Sequence, residues 1–157
     1  DNVSYWAGFY TSMPNLKSWI RRCEHILRMS ELLYTTVIVS DATVDDVIQG
    51  QNGNTTWREE YFDPLQRLRE AVGMLQHHDG ITGTMTKVVE TEYWEALNEG
   101  ASGGYKIIKD TIEKLLHYEE LEEDIHLTFD QNDIGDHEFE TRAGLPIVVY
   151  NPLGWLV

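Results

Sequence analysis

From Leu16 onward the apolar residues fall at Leu16, Trp19/Ile20, Cys23, Ile26/Leu27, Ser30, Leu33/Tyr34 and Val37. This three–four alternation draws one continuous stripe along a helix of about six turns. A stripe of that length must be covered, so the chain needs further helices to pack against it. Ser12 is a fitting N-cap, and Pro14 falls in the first turn, where its missing N–H costs little. The β-branched run Thr35–Val39 weakens the far end. The polar stretch Ser40–Thr56, with its Gly and Asn residues, reads as a loop.

Two more helical patterns supply the cover. Asp63-Pro64 predicts a second start, with Leu65, Leu68, Val72 and Leu75 as its seam and Arg67, Arg69 and Glu70 turned outward. It ends in Gln76-His77-His78-Asp79-Gly80-Ile81-Thr82-Gly83-Thr84, where Asp79-Gly80 signals a turn. A third pattern runs from Thr84–Thr86 to about Leu121, through Val88/Val89, Tyr93, Leu97, Ile108, Ile112 and Leu115. Gly100, Gly103 and Gly104 interrupt it, each costing about 1 kcal/mol relative to Ala, so a kink or break is expected there. Three helices with short connections predict a mainly α chain, an antiparallel three-helix bundle.

Beyond it the composition changes. Residues 119–140 carry ten acidic residues and no Lys or Arg, which reads as a solvated linker. Leu145–Val157 is apolar and β-branched with an Asn-Pro and a Leu-Gly step, and reads as a strand followed by a turn. One strand cannot bury a face or satisfy its edges by itself. We therefore expect partner strands outside this chain, and read the chain, which opens on Asp1 rather than Met, as incomplete at both ends.

Composition narrows the partners. The formal net charge of −15 repels phosphate backbones, which argues against nucleic acid. No apolar run approaches the roughly 20 residues of a membrane span. Cys23 is the one cysteine, so neither an internal disulfide nor a thiolate metal cluster can form within the chain. Two sequons, at Asn2 (Asn2-Val3-Ser4) and Asn54 (Asn54-Thr55-Thr56), lean toward the secretory pathway and away from the cytosol.

His77, His78 and Asp79 carry the ligand chemistry of zinc. Adjacent residues on a helix point about 100° apart, so His77 and His78 are not expected to share one ion if they lie on a helix. His25, His117, His126 and His137 stand at no recognisable ligand spacing. Two readings remain open: polar residues at a helix C-terminus, favoured there by the macrodipole, or one imidazole lent to a site completed elsewhere.

The nine residues Gln76–Thr84 closely resemble the hallmark segment of the class II α-mannosidases, glycoside hydrolase family thirty-eight. Tyr5–Lys17 (YWAGFYTSMPNLK) resembles the family's segment ahead of its first bundle helix, and Val149–Trp155 (VYNPLGW) its entry into the β-rich C-terminal region. The resemblance spans nearly the whole chain, with 40–57 and 119–140 undiagnostic. It implies a fragment of a larger multidomain enzyme. Residues 1–13 would link from the catalytic domain and line the active-site rim. Residues 14–121 would form the bundle, 122–142 the acidic linker and 143–157 the first strand of a β-sandwich-like domain.

The resemblance also implies a chemistry. Family members remove α-linked mannose from N-glycan oligosaccharides by a retaining mechanism with Zn2+ as cofactor. His78 matches the zinc-binding histidine, Asp79 the aspartate that accepts hydrogen bonds from sugar hydroxyls, and Trp6 a tryptophan of the mannose pocket. His77 matches no firm role and reads as a support to the neighbouring ligand or as packing, and Gly80 and Gly83 permit the backbone path of the turn. No catalytic residue matches in this chain: nucleophile and acid/base belong upstream, so the isolated chain is expected to be inactive. Met13 departs from the family, which usually has Arg before the proline; this puts a local salt bridge in doubt. The partners implied are the remaining segments of the same enzyme and mannose-containing oligosaccharides, with room for a homodimer. The implied location is the lysosome, or alternatively the Golgi lumen or the exterior.

Two alternatives stand beside this. One is a non-catalytic helical interaction module; the other is a bundle from another carbohydrate enzyme sharing only the His-His-Asp loop. The module makes no demand that Trp6 lie near His78. In an up-down bundle the start of the first helix and the end of the second share one end, so the topology allows these two residues to meet.

Overall fold

The computed structural model describes residues 5–41 and 55–116. The chain divides into two compact units, Asp1–Glu119 and Glu120–Val157, and every described residue belongs to the first. The sequons at Asn2 and Asn54, the acidic run and the apolar tail lie outside the described residues.

A short 3-10 turn, Gly8–Tyr10, leads into three helices: α1 (Pro14–Asp41), α2 (Thr55–Met74) and α3 (Lys87–Leu116). Each helix packs on the other two. The cross-links give their directions. Arg69 of α2 pairs with Glu31 of α1, and Gln76, just past α2, reaches Glu24. On the other side Arg67 pairs with Glu99, and Lys106 with Glu60. Residue numbers rise on one partner as they fall on the other, so α2 runs antiparallel to both α1 and α3. The three-helix bundle expected from the periodicity is the fold. No described helix is long and apolar enough to cross a membrane.

The seam of α1 is buried as its spacing predicts: Leu16, Ile20, Cys23, Ile26, Ser30, Leu33, Tyr34 and Val37 all lie in the core. Trp19 and Leu27 are half-buried at its margin. Burial, and secondarily Glu24, pushes the Cys23 thiol up to about 12, so Cys23 is a small core hydrophobe. The β-branched run does not stop the helix, which continues to Asp41. Thr35 and Thr36 donate back to the carbonyls of Glu31 and Leu32, which satisfies their hydroxyls within the helix.

Four local expectations are corrected. Ser12 is not an N-cap: its hydroxyl donates to the carbonyl of Gly83, and Met13 supplies the first helical acceptor, to Lys17 N–H. Helix α2 begins at Thr55, well before Asp63-Pro64, so Pro64 sits in its interior. An interior proline forfeits one helical bond, and packing offsets that loss. Trp57 and Tyr61 pack with centroids 4.3 Å apart and rings tilted by 41°, and Tyr61 is buried against Tyr34, Leu65 and Ile107. The Tyr61 phenol donates to Asp110, and Lys106 lies 4.4 Å above its ring. Burial first, then Asp110, raises the phenol's pKa, so it is held as a neutral donor.

Third, α3 runs unbroken through Gly100, Gly103 and Gly104. These glycines are where its neighbours come closest. A Cβ on Gly100 would lie 2.9 Å from the Leu68 Cα, and one on Gly104 2.7 Å from the Ile26 Cγ2. The buried Ser30 hydroxyl bridges the carbonyls of Ile26 and Gly104 across the same approach. Close packing outweighs the poor helix propensity of glycine here. Fourth, Leu97, Ile108 and Ile112 are buried, but Val88 is 69% exposed and Leu115 40% exposed, so the seam of α3 is shorter than its pattern.

Candidate metal- and sugar-binding turn

Past Met74 the backbone tightens into consecutive three-residue turns. Gln76 N–H donates to Gly73, His77 to Met74, Gly80 to His77 and Gly83 to Gly80, at 2.8–3.1 Å. Leu75 anchors the entry, fully buried. Two glycines are obligatory for the path. A Cβ on Gly80 would stand 2.8 Å from the Leu75 carbonyl oxygen, and Gly83 has φ +71° with Ser12 Oγ only 2.9 Å from where its Cβ would be. The glycine roles expected from the sequence hold.

This geometry releases the histidines from the helix, and with it the argument that they must point apart. Their ring centroids lie 4.2 Å apart. The Oδ2 of Asp79 is 3.6 Å from His77 Nε2 and 3.5 Å from His78 Nε2. One donor atom from each of the three residues falls within 4.8 Å of the others. Its other oxygen, Oδ1, accepts a hydrogen bond of 2.9 Å from Thr84, whose hydroxyl lies 2.9 Å from that of Thr82. Thr82 in turn donates to the His78 carbonyl. The carboxylate is thus fixed on one side and open on the other, as outer partners fix metal or substrate ligands.

The donor set fits zinc. Imidazole nitrogen and carboxylate oxygen are both donors that zinc takes, and Asp79 Oδ2 lies 3.5 Å from His78 Nε2, so a metal held on His78 would stand beside that carboxylate. The His78 side chain is 82% exposed, and those of His77 and Asp79 about half exposed, so the cluster opens outward and leaves room for donors and substrate from elsewhere.

The structure therefore brings His78 and Asp79 together and sets His77, expected only as support or packing, beside them. Trp6 is 87% exposed. The segment carrying it enters the bundle at this end, because Ser12 bonds to Gly83 and Lys17 to Thr82. The contributions of Thr82, Thr84 and Lys17 carry no local signal: each depends on a contact made by the folded turn. Met13, where the family has Arg, takes φ 48° and abuts Gly83.

The family model of the α-mannosidase middle domain matches residues 4–115, which include the whole turn. α-Mannosidase E of Dictyostelium discoideum is 28% identical over 99% of this chain and 14% of its own length. The epididymis-specific α-mannosidase of Sus scrofa is 33% identical over 97% of this chain and 12% of its own. The lysosomal α-mannosidase of Dictyostelium discoideum is 27% identical over 74% of this chain and 10% of its own. The chain thus spans about a tenth to a seventh of the length of these relatives. No solved structure matches it significantly. With the matched domain, these relatives and the turn in agreement, the chain belongs to the class II α-mannosidases, glycoside hydrolase family thirty-eight, of which it carries the middle domain.

Proposed function

We propose that this chain is the middle segment of a zinc-dependent, retaining α-mannosidase that removes terminal α-linked mannose from N-glycan oligosaccharides. The observation that carries the reading is the gathering of His77, His78 and Asp79 in one outward-facing turn, inside the stretch matched to the family.

In this reading His78 offers a neutral imidazole nitrogen to the metal. Asp79, steadied through Oδ1 by Thr84, keeps Oδ2 for hydroxyl groups of the sugar; a carboxylate has lone pairs enough for both. Trp6 offers an aromatic face to the apolar C–H side of mannose. Zinc, when bound, supplies Lewis-acid polarisation and orients the substrate. The nucleophile and the acid/base belong to segments outside this chain. A lysosomal setting is supported by the lysosomal relative, the sequons at Asn2 and Asn54, and the acidic balance.

The test is turnover of p-nitrophenyl α-mannoside by the intact enzyme. Dialysis against a chelator should abolish it, and zinc should restore it. Undiminished turnover by metal-free protein would sink the zinc assignment.

A further inference from the structure

Lys17 lies in the first turns of α1, half-buried, with an ammonium that donates to two main-chain carbonyls. One belongs to Ser12, just ahead of the helix. The other belongs to Thr82, 65 residues away in the turn, at 3.1 Å. The position is a poor one for a lysine on local grounds, because a cation near a helix N-terminus opposes the macrodipole. A solvated surface lysine would carry its charge away into water. This one brings it inward to the junction of the two segments, where carbonyl oxygens compensate it.

Thr82 is the hub of the site's own bonds. Its carbonyl is held by Lys17, while its hydroxyl donates to the His78 carbonyl and lies beside Thr84, which holds Asp79. Ser12 adds a second tie at 2.8 Å, to the Gly83 carbonyl. There is no space to spare: Met13 and Gly83, both with positive φ, meet with a Cβ position only 3.1 Å from the Met13 Cβ.

We propose that Lys17, with Ser12 beside it, is a positioning residue for the His78–Asp79 turn, fixing the His78 main chain and the Asp79 carboxylate by holding Thr82 through its carbonyl. The inference rests on the zinc and sugar roles proposed above for His78 and Asp79. It also predicts a local effect that appears without metal.

Lys17→Met keeps the length of the side chain and removes its donors. In the metal-free protein, amide exchange at Gly80 and Gly83, whose N–H groups close the turns, should quicken about tenfold, while Leu68 and Ile108 exchange as in the wild type. In the zinc-loaded intact enzyme, zinc release to a chelator should quicken about tenfold, the scale of losing an outer partner of a metal ligand. Lys17→Arg, which can still reach two carbonyls, should recover most of both effects. Should Lys17→Met fail to fold, Ser12→Ala carries the same test through the Gly83 carbonyl. Wild-type exchange at Gly80 and Gly83 with wild-type zinc release would overturn the proposal. So would exchange quickened equally at Leu68 and Ile108, which marks a merely structural lysine. A His78→Ala arm separates the two ideas. If that variant keeps its zinc, the zinc role of His78 falls, while the exchange result still judges the clamp.

Discussion

His78→Ala in the intact enzyme should lose zinc and activity together, with kcat/KM falling about two to three orders of magnitude. The size follows from removing a ligand whose metal contributes several kcal/mol to transition-state stabilisation, at about 1.4 kcal/mol per factor of ten. The bundle itself should be unmoved, because the His78 side chain is 82% exposed and buries nothing in the core. Thermal unfolding of the metal-free variant should therefore overlay that of the metal-free wild type. Zinc content by mass spectrometry, read beside turnover, separates loss of metal from loss of substrate contact. Full zinc with normal turnover would contradict the assignment.

Gly100→Ala should destabilise the bundle by about 1–3 kcal/mol, the range for forcing extra volume into a packed core. At an open helical position the same change stabilises by about 0.5–1 kcal/mol. The difference lies in what the new methyl group meets. At Gly100 it would lie 2.9 Å from the Cα of Leu68, a main-chain atom that no rotamer change can move aside, so α2 and α3 must separate. Gly73 is the internal control: it is exposed on α2 with nothing within 4 Å of its Cβ position. Urea unfolding of the two variants should give shifts of opposite sign. A stabilised Gly100→Ala would show that the helices do not approach this closely.

These two positions also show what the amino-acid order reveals and what it hides. The stripe from Leu16 to Val37 predicts the buried face of α1 residue by residue, because helical period and burial are one geometric fact. Leu65, Leu68 and Val72 of α2, and Leu75 just past its end, follow the same logic. Pro64 and Gly100 mislead because their local meaning, a helix start and a helix break, is outweighed by partners distant in sequence. Tyr61 holds the turn before Pro64 to Asp110, and Gly100 is small because Leu68 is close.

The site divides the same way. His78 and Asp79 are marked by the resemblance of Gln76–Thr84 to a known segment. Local spacing, judged as if on a helix, hid the convergence of His77 with them, because the helix ends at Met74 and the turns that follow rotate the rings together. Lys17 could not be read at all, since its partner Thr82 is brought beside it only by the antiparallel return of α2.

The central claim, that this turn forms one edge of a zinc centre completed by other segments, is tested most directly by anomalous diffraction at the zinc edge from crystals of the intact enzyme. The account predicts a single peak within bonding distance of a His78 ring nitrogen, with the remaining ligands drawn from outside residues 1–157. A zinc peak with no bond to His78 would contradict it.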